Sequence, residues 1–472
     1  MKNSLTKAPW IALPIILLCL FSYSIAQESP GEPKNAEFYN HRGIAQMEKG
    51  YYDQAISDFN KALEINPKYA YAFNNRGMAH RGKGQYDQAI SDYTRALEIN
   101  PKYAYAYNNR GIAYADKGQY DQAISDFTKA LEINPKYAYA YDNRGMAHAE
   151  KGQYDQAISD FTKALEINPK FAYAYSNRGI AHRLKGQFDQ AISDFNKALA
   201  INPQYAYAYN HRGLTYAGKG LFDQAISDLN KALEIDPWYA EAYSNRGKVY
   251  REKGQSDQAI LNYSKALEIN SRFALAYNGR GNVYKDGGQY DQAISDYAKA
   301  LEINPKFAEA YYNRGIVFLG KGQYDQAISD FSKAIEINPK FDEALNNRGV
   351  AYRRKGQFDQ AISDYTKALE INPKFDQALN NRGNAYSEKG QYDQAISDYT
   401  KALEMNTKFA EAHYNRGRAH YLKAEYDKSL DDIKKAEGLG HRIPPKLLED
   451  LRKASRKEES KPSPEPAPSK KN

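Results

Sequence analysis

One glycine recurs every 34 residues along almost the whole chain: Gly43, Gly77, Gly111, Gly145, Gly179, Gly213, Gly247, Gly281, Gly315, Gly349, Gly383 and Gly417. With Ala36 as position 1 of the register, this glycine is position 8, and no copy misses it. Position 20 is Ala in eleven copies, with Ser429 in the last, and position 27 is Ala in all twelve. Position 24 is aromatic or aliphatic, and position 32 is Pro in nine copies. A period of this length means that each copy is one supersecondary unit, too small to bury its own apolar face. Stability must then come from stacking neighbour on neighbour.

Within a copy the spacing is helical. Tyr39, Gly43 and Gln46 lie at i, i+4 and i+7, one face of a helix. Ala45 is small enough to let a second helix approach, and Gly50 supplies the reversal, because glycine tolerates positive φ. The second helix opens with Asp53, whose charge suits a helix N-terminus. It runs through Ala55, Phe59 and Ala62, and the Asn66-Pro67 pair stops it, since the residue before Pro is pushed out of the α region.

The small, aromatic, Ala and Pro positions resemble those of the tetratricopeptide repeat family. The resemblance covers residues 36–443, in twelve copies running consecutively from 36–69 to 410–443. It implies an all-α fold, a right-handed superhelical solenoid of antiparallel helix pairs. Pro444 and Pro445 then introduce a capping helix over 444–456, with Leu447, Leu448 and Leu451 turned onto the last copy. The Pro-, Ser- and Lys-rich stretch 457–472 lacks the apolar residues to build a core, so disorder is expected there.

The N-terminus has the order of an export signal: Lys2 and Lys7, an apolar run from Ala8 to Phe21, then Ser24-Ile25-Ala26. The run falls short of the roughly 20 apolar residues that span a bilayer. The reading is a signal peptide over 1–26, a polar linker over 27–35 and an exported protein, periplasmic or extracellular. The alternative is an uncleaved membrane anchor over Ala8 to Ala26. Cys19, the only cysteine, lies in this leader, so the rest of the chain has no disulfide and no thiol nucleophile.

Chemistry is sparse. The formal charge of +8 is spread through the copies, whereas a nucleic-acid partner calls for a clustered basic stripe. His80, His148, His182 and His420 share position 11, where other copies carry Tyr, and read as packing. No P-loop, G-x-S-x-G, H-E-x-x-H or dinucleotide fingerprint is present, and too little chain lies outside the copies for a catalytic domain. The expectation is a non-enzymatic scaffold with no cofactor, no metal and no small-molecule substrate.

In this family the face of the first helix opposite the packing residues lines a groove for extended peptides. Position 6 is Asn75, Asn109, Asn143, Asn177, Asn245, Asn313, Asn347, Asn381 and Asn415, with His41, His211 and Gly279 in the other copies. A row of amides offers donors and acceptors to a peptide backbone. It resembles the asparagine ladder of the enzyme that attaches N-acetylglucosamine to Ser and Thr. The competing reading is a tolerated polar residue copied by duplication. Position 2 is Tyr71, Tyr105, Tyr139, Tyr173 and Tyr207 in copies two to six, but Glu241, Glu309, Glu343 and Glu411 in four later copies. The tyrosines read either as binding anchors or as packing against the next copy. No copy has Lys or Arg at position 2, which the family's clamp for chaperone C-termini requires. The function expected is capture of an extended polypeptide segment. The alternative is an anchored assembly factor recruiting partners to a cell-envelope complex. Finally, Arg at position 7 in all twelve copies and Asp at position 23 in eleven suggest an interhelical bridge; the rival partner for Asp58 is Lys61 on its own helix.

Overall fold

The computed structural model describes residues 35–459; the leader, most of the linker and the end of the C-terminal tail lie outside the described residues. Among the described residues there are 25 helices and no strand. They begin with α1 (Ala36–Glu48) and α2 (Tyr52–Ile65), and the same two-helix pattern recurs through all twelve copies. None of these helices is long and apolar enough to cross a membrane. The chain divides into two compact units, one up to Val249 and the other from Tyr250.

Local chemistry sets each helix end. Asn35 caps α1, its Oδ1 accepting from the Phe38 N–H at 2.8 Å. The turn between the two helices passes through a glycine with φ between +71° and +78° in eleven copies. The twelfth copy has Ala424 there at φ 60°, the one non-glycine residue in that region among those described. A Cβ in that conformation costs roughly 1–2 kcal/mol. The second helix ends on Asn66, which leaves the helical region at φ −132°. Its Oδ1 then accepts from the Lys68 N–H at 3.1 Å, an Asx turn that replaces the interrupted helical bonding. The same bond recurs at Asn100, Asn134 and Asn168.

The period-defining glycine answers to one contact. A Cβ added at Gly43 would stand 2.6 Å from the Phe59 ring, and one at Gly77 would stand 2.7 Å from Tyr93. The first helix rests directly on the position 24 ring of its own partner helix. In copies six and twelve, where Leu229 and Ile433 replace the ring, the closest approach relaxes to 3.1 Å and 3.0 Å. Gly279, at position 6 of copy eight, has a similar packing role. A Cβ there would meet the Tyr263 ring at 2.5 Å.

The Arg–Asp bridge is present and bidentate. Arg110 donates from Nε and Nη2 to the two oxygens of Asp126 at 2.7 and 2.9 Å. Arg42 takes Asp58 in the same way, so Lys61 is not that aspartate's main partner. The remaining nitrogen reaches back one copy: Arg110 Nη1 donates to Thr94 Oγ1 at 3.0 Å, and Arg144 Nη1 to Thr128 Oγ1 at 3.0 Å. One guanidinium therefore ties its own helix pair and also the preceding copy. The bond to Asp160 holds Arg144 above the usual guanidinium pKa. The Lys–Asp pairs between copies, such as Lys117 with Asp87, have an aspartate side chain 80% exposed and add little.

Apolar burial does the larger share. Phe161, Phe195 and Ile180 form one cluster with Ala157, Ala181 and Ala191 across copies four and five. Each such large side chain contributes about 1.5–3 kcal/mol when fully buried. In the second unit, the last helix, Pro445–Glu459, runs slightly beyond the expected 444–456. Leu447, Leu448 and Leu451 cover Ile433 and Ala436 as the sequence predicts.

Candidate polypeptide-binding face

The position 2 tyrosines stand at the start of each first helix, two residues after position 34 of the preceding copy, which is also aromatic here. The two rows interleave into one strip in the first unit. Tyr69, Tyr71, Tyr103, Tyr105, Tyr137, Tyr139, Phe171, Tyr173, Tyr205 and Tyr207 follow one another. Ring centroids are 5.0–6.5 Å apart, and all contacts but the last are edge-to-face. That is the arrangement aromatic quadrupoles favour, worth about 0.5–1.5 kcal/mol per pair.

The two rows are not equivalent. The position 34 rings lie inward: Tyr137 and Phe171 are buried, and burial raises the phenol pKa of Tyr103 and Tyr137. The position 2 rings lean outward, with Tyr71 54%, Tyr105 44% and Tyr173 39% exposed. Tyr139 and Tyr207 are half-buried. Each ring packs between the last ring of the preceding copy and the last ring of its own, and Tyr71, Tyr105 and Tyr173 still show part of their surface to solvent.

The asparagines behave differently. The sequence sets them on the face opposite the packing, but Asn75 and Asn109 are buried and Asn143 and Asn177 almost completely so. Each reaches the position 5 side chain of the preceding copy. Asn75 Nδ2 donates to Asn40 Oδ1, Asn109 to Asn74 and Asn143 to Asn108, all at 3.0 Å. Asn177 donates to the Asp142 carboxylate at 3.2 Å. Asn245 joins Asn210 at 2.9 Å. In the second unit Asn313, Asn381 and Asn415, all half-buried, repeat the bond to Asn278, Asn346 and Asn380. Asn347, also half-buried, donates to the Tyr312 hydroxyl at 3.1 Å. The row is thus a clasp between copies. Position 5 was the missed partner, and its signal was a second run of Asn, Asp and Ser beside the first: Asn40, Asn74, Asn108, Asp142, Ser176 and Asn210.

At position 6 of copy six, His211 packs edge-to-face on Tyr207 at 4.3 Å. Burial, with Arg183 nearby, holds its imidazole well below the usual pKa, so it is neutral. The position 11 histidines bond locally, His80 to Gln85 and His148 to Gln153 at 2.7 Å. Among the described residues no group of three His, Cys, Asp or Glu is placed to hold a metal. Of the later position 2 glutamates, Glu343 and Glu411 are exposed, while Glu241 and Glu309 are half-buried.

Sequence models described as tetratricopeptide repeat match residues 36–69, 70–103, 104–137, 138–171, 172–205, 308–341 and 342–375, and a second of that description matches 364–397. A model described as TPR repeat matches 216–254, 247–286, 281–322 and 383–423. No curated protein matches. Similar solved structures include the Cut9–Hcn1 hetero-tetramer of the APC/C, at 16% identity and TM-score 0.44, covering 89% of this chain and 96% of that one. Another is a tetratricopeptide repeat protein from Parabacteroides merdae, at 24% identity and TM-score 0.46, covering 53% and 99%. A third is YrrB, described as a TPR protein with an unusual peptide-binding site, at 28% identity and TM-score 0.35, covering 39% and 95%. Proteins built this way are generally interaction scaffolds. With family matches over more than half of its length, this chain belongs to the tetratricopeptide repeat family.

Proposed function

We propose that this protein is a non-enzymatic scaffold that holds an extended segment of a partner polypeptide along the aromatic strip of its first unit. The observation that carries this reading is the exposure of Tyr71, Tyr105 and Tyr173 within an otherwise packed ladder of rings. Tyrosine supplies a large, rigid contact area at small entropic cost. Rings already fixed edge-to-face by their neighbours lose still less on binding. In this reading the tyrosines make the contact and the asparagine clasps hold them in register. Nucleic acid is not the partner, for want of a basic stripe, and no cofactor is required. The leader ending Ser24-Ile25-Ala26 supports an exported location.

The test is the triple substitution Tyr71→Ala, Tyr105→Ala and Tyr173→Ala, with a partner first captured from the exported fraction. Aromatic anchors of this kind cost roughly 2 kcal/mol each on truncation, so affinity should fall by more than about a hundredfold. Far-UV circular dichroism should stay that of the native helices. Unchanged affinity would remove the strip from the binding site.

A further inference from the structure

Toward the C-terminal ends of the first helices in copies one to three, in the same unit as the strip, lies a cleft of about 330 Å³. We infer that it is a specificity pocket for one tyrosine side chain of the bound polypeptide, an inference that builds on the reading above. The volume suits a single large side chain and lies at the lower end of the range for small-molecule sites.

Its walls are apolar and aromatic: Met47, Met78, Ile112, Tyr52 and Tyr86. Thioethers against an aromatic ring are a favourable and adaptable contact. The opening exists because position 13 of copy two is Gly82. Tyr52 lies so close that a Cβ there would stand 2.5 Å from its ring. A larger residue would push Tyr52 aside.

The polar part is specific. Tyr93 lines the cleft, is completely buried, and its hydroxyl has no hydrogen-bond partner. An unpaired buried hydroxyl costs about 1–3 kcal/mol, which a ligand atom can recover. Its counterparts Tyr297 and Tyr399, in later copies, donate to Asn282 and Asn384 at 2.7 Å. Copy two has Met78 at that position, so the bond is not available to Tyr93. Beside it Arg81 Nε donates to Asp116 Oδ2 at 2.6 Å. Because these two charges offset each other, an ionised ligand group of either sign would meet its like.

A phenol answers every feature. Its ring fills the space between the methionines and tyrosines. Its oxygen accepts from the Tyr93 hydroxyl while its O–H donates a hydrogen bond to the Asp116 carboxylate, which keeps the bond to Arg81. A phenylalanine would fill the walls and leave Tyr93 unpaired.

The methyl groups of methionine give a direct readout, because the chain has five and two of them line the cleft. With ¹³C-methyl-methionine in the full chain, p-cresol should shift the resonances of Met47 and Met78 but not those of Met146 and Met405. Toluene, which makes neither hydrogen bond, should bind more weakly by roughly tenfold or more. In Tyr93→Phe that preference should shrink by roughly fivefold, leaving the bond to Asp116, while both compounds still bind. Absence of a Met47 or Met78 shift at millimolar p-cresol would overturn the pocket. So would uniform shifts of all the methionines. Equal binding of toluene and p-cresol to the native chain would overturn the role of Tyr93. No partner is used, so failure here leaves the aromatic strip to be judged by its own test.

Discussion

Replacing Asn75, Asn109, Asn143 and Asn177 together by Ala is expected to destabilise the first unit by about 4 kcal/mol or more. Each amide donates across a copy boundary to a buried acceptor, namely Asn40, Asn74, Asn108 and Asp142. Truncation removes the bond and strands a buried polar group, at about 1–3 kcal/mol per site. Because copies touch only their neighbours, the four losses fall on four successive interfaces and sum approximately. The circular dichroism melt should therefore gain an early-unfolding fraction corresponding to copies one to five while the second unit melts as before. An unchanged melt would mean that the clasps do not support the stack.

Asp142→Asn should act in the opposite direction. This residue is the one carboxylate in the position 5 run of the first unit. It is fully buried, and its two oxygens accept from Asn177 Nδ2 at 3.2 and 3.3 Å. Burial raises its pKa from 3.8 to about 7, against the smaller lowering effect of Asn177. A carboxyl whose folded pKa exceeds its unfolded value favours folding when protonated. Stability is therefore full below pH 4, declines as the unfolded chain ionises, and reaches its minimum above pH 7. The full penalty is on the order of 4 kcal/mol. Asparagine, the residue found here in the copies on either side of the Asp142–Ser176 pair, keeps an acceptor for Asn177 and never ionises. The variant should melt higher than the native chain at pH 8 and equally at pH 4. A difference that does not change with pH would show that Asp142 is not the titrating group.

Much of this was written in the repeat itself. Position 8 glycine, position 24 ring and the Asn-Pro stop follow from helix packing and backbone sterics, and all are found in place. The Arg–Asp bridge was legible as a charge pairing with a fixed period, although its third bond to the preceding copy was not. That bond depends on how far one helix pair advances past the last, which no single copy encodes. The asparagines were misplaced for the same reason. A helical wheel put position 6 opposite the packing face of its own pair, but the preceding copy closes over that face. The tyrosine row escaped this fate because position 2 lies at the helix start, where position 34 rings prop it outward. Gly279 is a seat for Tyr263, a contact set by the neighbouring copy rather than by its own, so its role could not be read from one copy.

Tyrosine footprinting with and without a saturating partner tests the aromatic strip most directly. Tyr71, Tyr105 and Tyr173 are exposed, and so are Tyr51 at 55% and Tyr290 at 43%, which are not part of the strip and serve as internal references. Mild nitration, read by peptide mass spectrometry, should label all five in the free protein. With partner bound, Tyr71, Tyr105 and Tyr173 should be protected while Tyr51 and Tyr290 react at their former rates. Undiminished labelling of Tyr71, Tyr105 and Tyr173 in the saturated complex would contradict the account.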